Sequence, residues 1–316
     1  MNYVYTGEKD ERLYKSVLGQ TIEEMLMEDE DVLYLDADLM SCIGTAKLPA
    51  KTDRAIDCGV AEANMIGTAC GASAVGFKPI VHTFGPFASR RVFDQVFLSG
   101  GYAKNSITVI GSDPGITAAF NGGTHMPFED MALYREIPGA VICDCTDVPM
   151  LKSFLRTAVN RPGVKFIRVG RKESYQVYPE GAELEFGKGH VLREGADAVI
   201  VASGIMVHEA MQAAKKLDAE GIHCAVIDPF TIKPLDAALI REWAQKTGAV
   251  ITAENHNYVG GLYSAVKEIL EREAVVGRVA IEDEFGEVGP QNYLRERFDL
   301  TDEHIVRVVR ETVARK

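Results

Sequence analysis

Long apolar runs are missing from this sequence of 316 residues. A helix that spans a bilayer needs about 18 to 20 consecutive apolar residues, and no segment approaches that length. The first ten residues, Met1–Asp10, also lack the basic and then apolar layout of a secretory signal. We therefore expect a cytoplasmic chain without a membrane partner.

Blocks of like charge are missing as well. The formal net charge is −12, and no stretch carries five or six consecutive charges of one sign. Nucleic-acid binding rests on clustered Lys and Arg, so we predict no nucleic-acid partner. The 47% share of apolar residues excludes intrinsic disorder and leaves an ordinary globular chain with room for two domains.

Paired CxxC spacing is absent, although the chain has six cysteines. A chain of this length can build its core without disulfides, and isolated cysteines are often buried. We predict buried, reduced thiols, among them Cys143 and Cys145 on an apolar strand. We predict no metal site within this chain.

What the sequence does contain is a regular alternation of short β-branched runs with longer segments of helical period. This pattern is typical of the α/β class. Val32–Leu35 is the first predicted strand, and a helix is predicted to begin near Glu62 and to end at Gly76. Small residues are expected to bring this helix close to the sheet, namely Gly67, Ala69, Gly71 and Ala72.

A break in this pattern predicts the domain boundary. Between Arg171 and Gly195 the periodicity fades into a polar, turn-bearing stretch. Beyond it a new strand is predicted at Ala198–Ala202, and a later helix is predicted over Ala237–Thr247. We predict one domain over residues 1–180 and a second over 190–316, each a mostly parallel sheet with flanking helices.

Polar groups gather in three segments where predicted strands give way to helices, the place where open α/β sheets bind ligands. Within them, Glu62 either complements a helix dipole or serves chemistry. Aromatic residues such as Phe84 and Phe87 belong to the core or form a platform for a flat ring. His125 either caps a turn or hydrogen-bonds a hydroxyl or carbonyl. The three segments are Asp57–Met65, His82–Gln95 and Gly111–His125.

The third segment is rich in glycine and ends in His125, directly before a helix predicted over Met126–Ile137. It matches neither the phosphate-loop nor the dinucleotide-binding spacing. A loop of this length is still often functional. Arg168 lies within the predicted strand at Phe166–Val169 and Arg171 follows it; the two are either surface charges or a fork for an anionic group.

Taken together, these segments resemble the C-terminal half of transketolase, and especially the short chains that form the second subunit of split transketolases. The resemblance spans almost the whole chain, with several motifs in the same order. It implies a pyrimidine-binding domain of the thiamine diphosphate type followed by a transketolase C-terminal domain. The matching segments are Gly59–Met65, Thr83–Ala88, Gly115–His125, Glu129–Pro138, Glu254–Val266 and Ile281–Gly286.

The resemblance implies roles for the cofactor-facing residues. Glu62 would hydrogen-bond the aminopyrimidine ring of thiamine diphosphate and favour the imino tautomer, whose nitrogen takes the proton of the thiazolium carbon. Phe87, with Phe84 near it, would stack on the ring and exclude water. Asp38 is a further predicted cofactor contact, and His125 would contact the ketose donor near its carbonyl.

The resemblance also implies a partner. The family's diphosphate and metal motif, Gly-Asp-Gly followed by a downstream Asn, is absent from this sequence. We therefore expect a second, N-terminal transketolase subunit that holds Mg²⁺ and the diphosphate, in an α₂β₂ assembly. The predicted reaction is transfer of a two-carbon ketol unit from a ketose to an aldose.

The sequence departs from transketolase at substrate-facing positions. Asp113 stands where His is common, and Asn121 follows Phe120 where Glu-Asp is common. An aspartate there would repel a sugar phosphate, which argues against the standard pentose-phosphate substrates. The expected donor is a ketose, either phosphorylated or of a specialised, branched or modified kind. By similarity to deoxyxylulose-phosphate synthases, Arg171 and Arg91 are candidates for binding a phosphate.

Two alternatives stay open at this point. One is the β-subunit of a 2-oxoacid or acetoin dehydrogenase complex, which shares the two-domain layout and the glutamate. The segments Thr83–Phe87 and Gly122–His125 favour transketolase over it. The other is a non-catalytic paralogue that keeps the fold, against which the presence of Glu62 weighs.

Overall fold

The computed structural model describes residues 3–270 and 272–316. The chain forms two compact units, one of residues 3–114 and 133–184 and the other of residues 115–132 and 185–316. The units are called the N-terminal and the C-terminal unit below. The segment Gly115–Ala132 belongs to the C-terminal unit, although it precedes the predicted boundary in sequence.

The N-terminal unit alternates strands with helices, as predicted for the α/β class. Its strands are β1 (Lys9–Leu13), β2 (Val32–Asp36), β3 (Ala55–Asp57), β4 (Lys78–Phe84), β5 (Ile107–Ser112), β6 (Val141–Asp144), β7 (Val164–Val169) and β8 (Glu173–Tyr175). The helices of this part of the chain are α1 (Tyr14–Glu28), α2 (Glu62–Ala74), α3 (Gly85–Ala88), α4 (Phe93–Gln95), α5 (Asp130–Arg135) and α6 (Val148–Ala158). Helix α5 spans the point at which the chain returns from Ala132 to the N-terminal unit.

The strands of this unit form a parallel sheet. They pair in the order β6-β7-β5-β4-β2-β3, and β1 pairs separately with β8 in antiparallel fashion. Strands β2, β5 and β7 are buried along their whole length, as parallel strands covered on both faces must be. Because parallel strands end at one edge, the residues that follow β2, β3, β4 and β5 gather there.

Helix α2 was predicted correctly, but its glycines face outwards. Gly67 and Gly71 are exposed, and a Cβ at either position would meet no atom within 4 Å. The expectation that they lie against the sheet was therefore wrong. Larger side chains of the opposite face, Met65 and Ile66, fill that space instead.

The C-terminal unit is a second α/β layer structure. Four strands are parallel in the order β14-β13-β10-β11, and β9 adds an antiparallel edge next to β11. Its strands are β9 (His190–Arg193), β10 (Ala198–Ala202), β11 (Cys224–Asp228), β12 (Thr231–Lys233), β13 (Ala249–Asn257) and β14 (Val275–Ile281). Its helices are α7 (Met206–Asp218), α8 (Ala237–Thr247), α9 (Leu262–Ile269), α10 (Gln291–Arg297) and α11 (Asp302–Val313).

The polar stretch after Arg171 is more ordered than its composition indicates. Val177 and Tyr178 are fully buried, and their backbone N–H groups donate to the Asp147 carboxylate at 2.8 Å each. Asp147 also caps helix α6 by accepting from Met150 N–H at 2.9 Å. A single buried carboxylate thus fixes the end of the N-terminal unit.

None of the six cysteines forms a disulfide with another described residue. Four of them are buried, as predicted, whereas Cys42 and Cys58 are half-buried. In the described residues, no helix is both long and apolar enough to cross a membrane.

Candidate active site

Glu62 is the first residue of α2, and the loops that follow β2 and β3 are tied together beside it. The Asp57 carboxylate accepts from the backbone N–H of Gly59 at 2.9 Å and from that of Asp38 at 3.0 Å. Gly59 has a φ of +68°, which an unstrained glycine supplies at the turn into the helix. The Glu62 side chain is only 5% exposed, and a helix N-terminus favours its negative charge.

Arg91 connects Glu62 to the aromatic residues that follow β4. Its Nη1 donates to Oε1 of Glu62, and its guanidinium carbon lies 3.7 Å from the centre of the Phe87 ring. The rings of Phe87 and Phe84 are neighbours, with centroids 6.3 Å apart and planes inclined by 58°. A buried carboxylate, a planar cation and two phenyl rings therefore lie side by side.

Arg171 forms a second pair of this kind with Asp113. Its Nε donates to Oδ2 of Asp113 at 2.7 Å, and its Nη2 forms an ion pair with the same oxygen at 2.5 Å. Its guanidinium carbon lies 5.0 Å from the centre of the Phe84 ring. Burial raises the pKa of Asp113, and the neighbouring guanidinium offsets part of that rise. Burial lowers the pKa of Arg171, but the hydrogen bond and charge of Asp113 outweigh it, so that pKa is raised.

The predicted residues of the N-terminal unit thus form one continuous array. Each phenyl ring carries a guanidinium group on it, and each guanidinium is paired with a buried carboxylate. Asp38 joins this edge of the sheet through Asp57 and is exposed. The array runs in the order Glu62, Arg91, Phe87, Phe84, Arg171 and Asp113.

A buried polar network joins the same strands near the array, and no sequence motif predicted it. His82 Nδ1 lies 2.7 Å from Asp36 Oδ2, and its Nε2 lies 3.0 Å from Ser112 Oγ. Tyr34 also donates to Asp36 at 2.5 Å. These side chains are fully buried, so the serine is not a nucleophile for an external substrate. The network ties the ends of β2, β4 and β5 together; its only sequence signal is a polar residue at or near the end of each apolar strand.

Asn121 and His125 belong to the C-terminal unit. Asn121 is exposed, and His125 is half-buried with Nδ1 2.9 Å from Thr124 Oγ1. His125 was expected near a helix start, but it ends the short 3₁₀ turn Gly123–His125, and α5 begins only at Asp130. Pro127 explains the difference, because the residue before a proline is driven out of helical geometry.

The C-terminal unit also brings two of the matching motifs together. The Asn255 side chain accepts from Ile116 N–H at 3.0 Å, and a Cβ on Gly115 would collide with it. The Glu254 carboxylate accepts from the first backbone N–H groups of α9, Leu262 at 2.5 Å and Tyr263 at 2.8 Å. The loop after β5 and the end of β13 are thereby locked to each other.

The array is chemically suited to a flat, nitrogen-bearing ring. A protonated nitrogen of such a ring would donate a hydrogen bond to the Glu62 carboxylate, and the ring would stack on Phe87. The residues present thus fit the pyrimidine part of thiamine diphosphate. Among the described residues, no three His, Cys, Asp or Glu side chains form a cluster that could hold a metal ion.

Comparison with known domain families covers both parts of the chain. Residues 11–176 match the pyrimidine-binding domain of transketolase, and residues 187–305 match the transketolase C-terminal domain. The predicted order of the two domains is confirmed.

Two curated relatives differ in length from each other. The 6-deoxy-6-sulfo-D-fructose transketolase subunit of Clostridium sp. (strain MSTE9) is 42% identical over 100% of this chain and 99% of its own. The 1-deoxy-D-xylulose-5-phosphate synthase of Heliobacterium modesticaldum is 35% identical over 94% of this chain but only 47% of its own. The chain therefore has the length of a subunit and about half that of the synthase.

A solved structure of the same length completes the comparison. A split-gene transketolase, described as an inactive β₄ tetramer, has a TM-score of 0.88 and 35% identity, and the match covers 96% of this chain and 98% of that one. The α/β fold of two mostly parallel, helix-flanked sheets is confirmed. The chain belongs to the transketolase family, as a C-terminal or β subunit of the split type.

Proposed function

We propose that this chain supplies the pyrimidine-binding half of a thiamine diphosphate site in a two-subunit transketolase. The observation that carries the proposal is the nearly buried Glu62 carboxylate at the start of α2, beside the phenyl rings of Phe84 and Phe87. The complete enzyme transfers a two-carbon ketol unit from a ketose donor to an aldose acceptor.

Thiamine diphosphate would supply the nucleophilic carbon and the electron sink of the reaction. Glu62 would hold its aminopyrimidine ring by a hydrogen bond and set its protonation. Phe87, Phe84 and Asp38 would position the ring and keep water from it. A hydrogen bond to a carboxylate is stronger where water is excluded, so the two effects reinforce each other.

The substrate-facing part includes His125 and Asn121. The half-buried imidazole of His125 would bind the donor near its carbonyl and first hydroxyl groups. Its Nδ1 is engaged with Thr124, which holds the ring in one orientation. The exposed amide of Asn121 would hydrogen-bond sugar hydroxyls.

The partner subunit would contribute Mg²⁺ and the diphosphate site. The absence of a Gly-Asp-Gly motif from this sequence supports that division of labour. The name of the split-gene neighbour, an inactive tetramer of β subunits, also supports it. We infer an α₂β₂ assembly; the exposed face of α2, which carries Asn64, Gly67, Thr68 and Gly71 and no charged side chain, is suited to close packing. Cysteines that form no disulfide support a cytoplasmic location.

For the donor we propose a ketose with a terminal sulfonate, as in the substrate named for the 42% identical relative. A sulfonate carries one negative charge, whereas a phosphate ester carries about 1.5 to 2 at neutral pH. Asp113 cancels most of the charge of Arg171, and this favours the weaker anion. Asp113 would thus act on the substrate through Arg171, and Arg91 is the second candidate cation.

The test is a donor comparison with the enzyme reconstituted from this chain and its partner. We expect ketol transfer from 6-deoxy-6-sulfo-D-fructose at a kcat/KM at least tenfold above that of D-xylulose 5-phosphate. Preference for the pentose phosphate would overturn the proposed donor but would still support a transketolase. Pyruvate-dependent reduction of an acceptor dye would favour the 2-oxoacid dehydrogenase alternative, and no turnover at all would favour the non-catalytic paralogue.

A further inference from the structure

Arg91 makes two contacts at once in this chain. Its Nη1 donates to Glu62 Oε1, and its Cζ lies over the Phe87 ring, 3.7 Å from the ring centre. A guanidinium is planar, cationic and rich in N–H donors, and it stacks readily on aromatic faces. Arg91 therefore fills the space between a buried carboxylate and a phenyl ring.

These are the two contacts that the proposed function assigns to the aminopyrimidine ring. The ring also is flat, also donates to the Glu62 carboxylate and also stacks on Phe87. Two planar groups cannot both stack on the same face of the Phe87 ring. We propose that Arg91 is a placeholder, which occupies the pyrimidine contacts in the free chain and leaves them when the cofactor is loaded; the inference rests on the proposed function.

The exposure of the two partners indicates which one moves. The Glu62 side chain is 5% exposed and sits in the first turn of α2, whereas the Arg91 side chain is 43% exposed. A buried carboxylate without a compensating group lowers the stability of the folded chain. Before the partner subunit and the cofactor bind, the Arg91 guanidinium would therefore stabilise the free chain by pairing with Glu62. The arginine can return to solvent at little cost once another group takes its place.

The inference predicts that removing Arg91 tightens cofactor binding. Calorimetric titration of thiamine diphosphate and Mg²⁺ into the reconstituted complex should give a Kd about 5 to 10 times lower for Arg91→Met than for the wild type. Arg90→Met is the matched control, because it removes the same charge from the adjacent, exposed position. We expect its Kd to stay within about twofold of the wild type.

A second readout does not depend on affinity. In the structure of the cofactor-loaded complex, Arg91 Cζ should lie more than about 6 Å from the Phe87 ring centre, outside cation–π range. In the free chain, Arg91→Met should lower the melting temperature, and Glu62→Gln in that background should restore part of it. This rescue separates a lost ion pair from a general folding defect.

The outcomes separate this inference from the proposed function. If the wild-type complex binds no thiamine diphosphate, both fail. If it binds the cofactor but Arg91→Met binds equally or more weakly than Arg90→Met, only the placeholder is overturned, and Arg91 then belongs to the loaded site. An Arg91 still stacked on Phe87 in the loaded complex would overturn it as well.

Discussion

Arg171 donates a hydrogen bond from Nε to one oxygen of Asp113 at 2.7 Å, and its Nη2 forms an ion pair with the same oxygen at 2.5 Å. The carboxylate is almost completely buried, so it faces the guanidinium and not the solvent. A substrate anion would therefore meet a cation whose charge is already largely compensated. In the proposed function, Asp113 therefore acts on the substrate by tuning the charge of Arg171.

The first prediction concerns this pair. Asp113→Asn leaves Arg171 with its full charge, so the ratio of kcat/KM for phosphorylated over sulfonated donors should rise about tenfold. Initial rates of the reconstituted enzyme with both donors measure the ratio. Asp53→Asn, at an exposed position, is the charge-matched control. A ratio that stays constant in Asp113→Asn would exclude the pair from the substrate site.

The second prediction concerns Glu62. Glu62→Gln keeps the size of the side chain but removes the carboxylate that would set the ring's protonation. We expect kcat of the reconstituted enzyme to fall by at least about 100-fold, with co-purification of the two subunits unchanged. Steady-state kinetics and size-exclusion chromatography measure the two effects. Full activity of the variant complex would mean that Glu62 takes no part in catalysis. That result would favour the non-catalytic paralogue or a different use of the site.

The third prediction concerns stability and pH. Lys165 on β7 is 1% exposed, and burial lowers its pKa to about 8. The folded state therefore binds this proton less tightly than the unfolded state, whose lysine titrates near 10.5. Stability is reduced below pH 8 and rises as the pH increases from about 8 towards 10.5.

Lys165→Met removes that dependence. Between pH 7 and pH 9.5 the wild type should gain about 2 kcal/mol of unfolding free energy relative to the variant. Denaturant unfolding of the free chain at both pH values gives the difference. A difference that stays the same at both pH values would mean that the buried ammonium is not strained.

The fourth prediction concerns the glycine before α9. A Cβ at Gly261 would collide with the Glu254 carboxylate, which is held in place by two backbone N–H groups. Gly261→Ala should destabilise the free chain by about 2 kcal/mol. Gly67→Ala is the control, since its Cβ would meet no atom within 4 Å and alanine is the better helix former. Equal melting temperatures of the two variants would contradict this account.

Local periodicity was enough to predict much of the fold. Helix α8 has the predicted bounds, and α2 begins at Glu62, because apolar spacing and helix-ending glycines lie within a short window of sequence. Local periodicity does not predict contacts between segments that are distant in sequence. Whether Gly67 and Gly71 face the sheet depends on which side of α2 packs against it. The spacing of small residues along the helix does not determine that side.

The site divides in the same way. The resemblance led to Glu62 and Phe87 because their motifs are contiguous in sequence. The pairing of Asp113 with Arg171 joins residues 58 positions apart, and the His82 network joins three strands. Both arise from the parallel sheet, which brings strand ends together whatever their distance along the chain.

The central claim is that this chain is half of an active site. The most direct test is to purify the tagged chain from its own cells, identify what remains bound by mass spectrometry, and assay ketol transfer with and without that partner. We predict a partner of similar length that contains Gly-Asp-Gly and a downstream Asn, and activity only when both are present. A chain that purifies alone, binds thiamine diphosphate tightly and turns over without help would contradict the account.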